Sequence, residues 1–128
     1  MRGLVPTWQG RISPLLDVAR RFLLVNLQGN SEKERHEVRI DETGLALRCK
    51  RMAQLNVQVL ICGAISRPLE EALASEAVRI IPNTCGAVEQ VLEAFRLGEL
   101  TDKAFLMPGC SRELHPVQAR RDEGNRKT

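Results

Sequence analysis

Aromatic side chains are scarce in this chain of 128 residues: Trp8, three Phe and no Tyr. That leaves little material for stacking nucleobases, and a formal net charge of +3, with basic and acidic residues interspersed, is too modest to mark a nucleic-acid binder. Long apolar runs are missing as well. No stretch approaches the roughly 20 residues of a membrane helix, and the start Met1-Arg2-Gly3-Leu4-Val5-Pro6 lacks the apolar segment of a signal peptide. No membrane is expected as a partner, and a cytoplasmic protein with reduced thiols is. There is no glycine-rich phosphate loop and no serine nucleophile elbow. The four aspartates, Asp17, Asp41, Asp102 and Asp122, all fall outside the predicted strands, where a two-metal nuclease would fix its ligands. The chain does not read as an enzyme. Closely spaced cysteine pairs are absent too, which excludes the local signature of a zinc knuckle or ferredoxin.

What is present is an apolar content of 43%, enough for one domain with a real core. Gly3–Thr7 and Arg21–Leu27 read as strands, the second ended by the turn Gln28-Gly29-Asn30, and His36–Ile40 alternates like an edge strand. Leu45, Cys49, Met52 and Ala53 recur at helical spacing and predict a helix over 42–56. Val57–Cys62 reads as a buried strand. Ser66 is placed to cap a second helix with Leu69, Leu73 and Ala77 on one face. Val78–Pro82 is the last strand, and Thr84 is placed to cap a third helix striped by Val88, Val91, Leu92 and Phe95 and ended by Gly98. These elements predict an α/β fold: a five-stranded mixed sheet, an antiparallel meander plus parallel strands, flanked by three helices. Residues 1–100 form the domain, 101–110 an ordered extension bearing Cys110, and 111–128 a disordered polar tail.

Three cysteines stand where the chain turns. Cys62 ends a strand before Gly63, Cys85 follows a strand before Gly86, and Cys110 follows the turn Pro108-Gly109. Beyond the carboxyl ends of parallel strands is where open α/β sheets bind ligands. Helix N-termini favour the thiolate that metal ligation needs, and the adjoining glycines allow a bulky ligand to approach. Cys62, Cys85 and Cys110 are therefore the candidate metal ligands, with Trp8 at the same edge as a shield for a cofactor or a cap on the core. The competing reading is that Cys62 and Cys85 are small core residues and Cys110 a free thiol. Cys49, among Leu45, Met52 and Ala53, belongs to the core. His36 is expected to be exposed and His115 solvated.

Several segments together resemble the dinitrogenase iron–molybdenum cofactor-binding domain shared by nitrogenase cofactor carriers and accessory factors. They are Val5-Pro6-Thr7 with Gly10-Arg11-Ile12-Ser13-Pro14, then Ala19 and Phe22, the strand Val57–Cys62 running into Gly63, and Gly86–Phe95. The resemblance covers about residues 3–100. It implies a ribonuclease-H-like fold with the later strands parallel to the first, and the binding or carrying of iron–sulfur or iron–molybdenum clusters without catalysis. Members carry His-Phe-Gly where this chain has Leu15-Leu16-Asp17, and that His is a proposed cluster ligand. The chain instead resembles a cysteine-bearing branch, and soft thiolates suit iron.

The expectation is a non-catalytic binding or carrier protein for an iron–sulfur or iron–molybdenum cluster, with Cys62, Cys85 and Cys110 as ligands. A protein that donates or accepts the cluster is the expected partner, and the residues leave the oligomeric state open. The alternatives are a zinc site on the same thiols and a metal-free regulatory or scaffold domain of the same fold.

Overall fold

The computed structural model describes residues 1–100 and 104–110. The chain runs β1 (Arg2–Trp8), β2 (Arg11–Ile12), a 3-10 turn (Leu16–Val18), β3 (Arg21–Gln28), β4 (Ser31–Arg39), α1 (Leu45–Gln54), β5 (Val59–Ile61), α2 (Arg67–Ser75), β6 (Arg79–Ile81) and α3 (Val88–Arg96). It makes a six-stranded mixed sheet with a main path of β4-β3-β1-β5-β6 and β2 paired to β1 off that path. β1, β3 and β4 are the antiparallel meander, while β5 runs parallel to both β1 and β6. The predicted five-strand sheet lacked β2. Two residues show no periodicity, and this strand is made by its turn: Gln9 and Gly10 both have positive φ, so Trp8 comes to face Arg11. β1 changes neighbours along its length, from β5 at Gly3 and Leu4 to β2 at Thr7 and Trp8. Pro6, with no N–H to donate, stands between.

Side chains alternate across the sheet into two cores. Leu4, Phe22, Leu24, Leu60 and Cys62 meet Cys49 and Met52 of α1 and Leu69 and Leu73 of α2. Val5, Val25, Val59, Ile61 and Ile81 meet Val88, Val91 and Leu92 of α3 on the other face. The helices differ from expectation at their ends. α1 begins only after Gly44, whose φ of +90° is not helical. α3 begins after Ala87 with no side-chain cap, and Thr84 is instead buried in the preceding loop, its hydroxyl donating to Ile81 O and Pro82 O. Ser66 does cap α2, accepting from Leu69 N at 3.4 Å. All three helices stop at a left-handed residue just past the last turn: Asn56, Ala77 and Gly98. Ala77 therefore leaves the face of Leu69 and Leu73, and its position is exposed.

Candidate functional site

The carboxyl ends of β1, β5 and β6 lie on one edge of the sheet, and three loops gather there. The 13–19 loop is pinned to the loop after β5: Ala64 N donates to Pro14 O at 2.8 Å and Leu16 N to Ala64 O at 2.9 Å. The β1–β2 hairpin is pinned to the entry of α3, where Ile12 N donates to Gly86 O and Val88 N to Gly10 O, both at 2.9 Å. The segment 104–110 folds back onto the loop after β6, with Cys85 N donating to Phe105 O at 2.7 Å and Met107 N to Asn83 O at 2.9 Å. The Pro108-Gly109 turn forms as its residues predict, closed by Cys110 N to Met107 O at 3.1 Å with Gly109 at φ +77°.

The four cysteines, none in a disulfide, meet very different surroundings. Cys62 is 0% exposed. It keeps the alternation of β5, so its side chain follows Leu60 into the core under α1 and α2. Cys85 is half-buried, its Sγ 3.5 Å from Leu106 O, and Cys110 is exposed. Cys49 packs in the core as expected, and burial raises its pKa, with Glu76 adding to the shift. The fold-back thus brings the two turns bearing Cys85 and Cys110 onto adjoining segments, whereas the Cys62 thiol points into the interior. Among the described residues, no group of three or more His, Cys, Asp or Glu is arranged to hold a metal ion. His36 is exposed beside Glu34, and His115 lies outside the described residues.

The two glycines expected to admit a ligand are already occupied by the protein. A Cβ on Gly63 would sit 2.5 Å from Pro14 O and 2.8 Å from Ser13 O, so its bareness serves the docking of the 13–19 loop. A Cβ on Gly86, at φ +124°, would meet the Phe105 ring at 3.1 Å. The Leu15-Leu16-Asp17 stretch is structural in the same way. Leu16 is fully buried, and the Asp17 carboxylate accepts from the Ser66 N–H and hydroxyl at the start of α2. Sequence reasoning missed Arg48. It is only 5% exposed in α1, and its guanidinium donates to Leu16 O, Ala19 O and Glu42 O and lies 6.0 Å from the Phe22 ring centroid. Burial lowers its pKa, and the Asp17 carboxylate acts in the opposite direction. A charged residue at i+3 from Leu45 was the available signal, since the helix's apolar stripe would otherwise continue through that position.

Trp8 does not cap the core. It is 56% exposed and, with Val18, Arg20, Arg21 and Arg39, walls a notch of about 250 Å³ at this edge.

No protein-family model matches the chain, and no curated protein matches it. Solved structures do match its fold. A proposed dinitrogenase of Methanocaldococcus jannaschii is 24% identical with a TM-score of 0.67, over 79% of this chain and 92% of that one. A proposed NifB protein of Thermotoga is 19% identical with a TM-score of 0.60, over 77% and 89%. The apo form of the orange protein of Desulfovibrio gigas is 17% identical with a TM-score of 0.63, over 88% and 96%. The chain shares the fold of these small proteins across nearly their whole length.

Proposed function

We propose that this protein binds and carries a metal–sulfur cluster as cargo, without catalysing a reaction on it, at the sheet edge where the three loops gather. One observation supports this reading above the others: the 104–110 segment docks on the loop after β6 and sets two thiol-bearing turns, Cys85 and Cys110, on neighbouring segments at that sheet edge. The likeness to folds assigned to nitrogenase-related proteins points the same way, as does the ribonuclease-H-like assignment carried by the resemblance. Cys85 and Cys110 are the thiols accessible to such a cargo, and Cys62 joins them only if the loop after β5 opens. The cargo is iron–sulfur or iron–molybdenum, received from a donor protein and passed to an acceptor.

Anaerobic reconstitution with iron and sulfide, followed by metal analysis, absorption and EPR spectroscopy, tests this. A Cys85→Ser/Cys110→Ser double variant should lose most of the bound metal; unchanged stoichiometry would sink the proposal. Zinc in the anaerobically purified protein would replace the cluster by a zinc site. The enclosure of Cys62 favours a second reading: a metal-free regulatory or scaffold domain of the same fold. Rapid and independent alkylation of Cys85 and Cys110 in metal-free, freshly purified protein would support it.

A further inference from the structure

The notch beside Trp8 has the makings of an anion site. Its floor is the end of β1 and the start of β3, and its walls are Trp8, Val18, Arg20, Arg21 and Arg39. Trp8 and Val18, 56% and 69% exposed, are two of the large apolar side chains that the fold leaves in solvent. The sheet register explains the arginines: Arg21 faces Arg39 across β3 and β4, and Arg20 directly precedes Arg21. Like charges directly opposite each other on a sheet are unfavourable, so the fold tolerates a repulsion here that a bound anion would relieve. Asp41 offsets only part of it. Its carboxylate accepts from Arg39 at 2.9 Å and Arg20 at 3.1 Å, which fixes those two side chains, while Arg21 makes no ion pair or side-chain hydrogen bond among the described residues. Three guanidiniums against one carboxylate leave a local surplus of about two positive charges. Hollows elsewhere, beside α3 and at the amino ends of β1 and β5, lack this combination: the first pairs Arg35 with Glu32 and Glu89, and the second lies on the opposite edge.

We propose that this notch binds a compact dianion that presents a soft, weakly hydrated surface to Trp8 and Val18 while Arg21 and Arg39 take its charge. Sulfido-metal anions have that chemistry, so the inference rests on the cluster reading above for its substrate class. It assigns the holding of the cargo to arginines and an indole in addition to thiolates. Guanidinium is weakly hydrated and donates in a fixed fork, which suits a large, diffuse anion. The indole adds an apolar wall and one N–H donor at its rim.

Trp8 is the only tryptophan, so its fluorescence reports from the notch itself. The full chain is titrated at low ionic strength with tetrathiomolybdate and, separately, with molybdate, and bound molybdenum is counted by equilibrium dialysis. Tetrathiomolybdate should bind at one equivalent per chain with saturable quenching of Trp8, and molybdate, of equal charge but strongly hydrated, at least about tenfold more weakly. Arg21→Glu should weaken tetrathiomolybdate binding by more than about tenfold. Arg21→Ala should do so less, and neither variant should melt below the parent, because each relieves the repulsion across from Arg39 and Arg21 has no partner to lose among the described residues. In the Cys85→Ser/Cys110→Ser background, Arg21→Glu should still weaken tetrathiomolybdate binding by more than about tenfold. Absence of saturable binding, or affinity unchanged in both Arg21 variants, overturns the proposal. So does affinity lost in the cysteine variant and kept in Arg21→Glu, an outcome that would leave the thiolate reading standing. Conversely, failed reconstitution with iron and sulfide alongside intact tetrathiomolybdate binding would remove the thiolate reading and leave the notch.

Discussion

Asp17 accepts a hydrogen bond from the Ser66 N–H at 2.8 Å and another from the Ser66 hydroxyl, joining the 3-10 turn to the N-cap of α2 across 49 positions of sequence. A carboxylate here satisfies an amide at the helix start and complements the helix dipole. Asp17→Ala should cost about 1–3 kcal/mol, read as a shift in the urea midpoint, and should speed hydrogen exchange at Leu16 and Ala64.

Arg48 holds the same loop from beneath. Its guanidinium serves the carbonyls of Leu16, Ala19 and Glu42. Arg48→Met fills much of the volume but leaves those carbonyls without their donor, at a cost of about 2–4 kcal/mol. Arg48→Lys should recover only part of it, since an ammonium cannot span the fork. Denaturant melts of the two variants check the ranking.

Ala77 sits in the left-handed region at φ +65° in the position where helices favour glycine. Its position is exposed, so Ala77→Gly removes strain without opening a cavity. The variant should be more stable by about 0.5–1 kcal/mol; a lower melting temperature would contradict the backbone geometry.

The thiols should separate by access. Cys110 should be alkylated first and Cys85 next, with Cys49 slow because burial raises its pKa and Cys62 protected until the protein unfolds. Mass spectrometry of a timed iodoacetamide reaction gives the order. Modification of Cys62 at the rate of Cys85 would mean that the loop after β5 opens readily, which would restore Cys62 as a possible ligand.

Acid should weaken the meander. Hydrogen bonds from Arg39, aided by Arg20, hold the Asp41 carboxyl below its usual range, and hydrogen bonds from Arg35 do the same for Glu89. Both groups thus bind protons less readily when folded than when unfolded. The stability they contribute is complete above the ordinary carboxylate range, around pH 4, and is lost as the pH falls through their depressed folded values. Both are exposed, so the effect is small and screened. Melting temperature against pH should show a shallow acid loss that shrinks in high salt and in Arg35→Ala.

Much of the fold was legible because its signals are local. The apolar run in Arg21–Leu27, the Gly29-Asn30 turn and the stripe of Val88, Val91 and Leu92 each declare an element within a few residues, and parallel β5 and β6 follow from the helix between them. The cysteine placement was legible only in outline. The sequence puts Cys62 at a strand end, but whether that thiol faces a ligand or the core depends on the phase of the alternation set by Leu60. It also marks Gly63 and Gly86 as places of close approach, without revealing that Pro14 and Phe105 are what approaches.

By itself the sequence determined the order of the helices and of every strand but β2, the turn that presents Cys110 and the absence of a familiar catalytic motif, because these rest on periodicity and residue chemistry. Tertiary structure alone decided which groups meet. It drew Arg48 inside to bind loop carbonyls, carried Phe105 back onto Gly86, and set Arg21 across from Arg39 beside an exposed Trp8. Contacts between residues tens of positions apart follow from sheet register and loop docking, and neither is written in any short window of the chain.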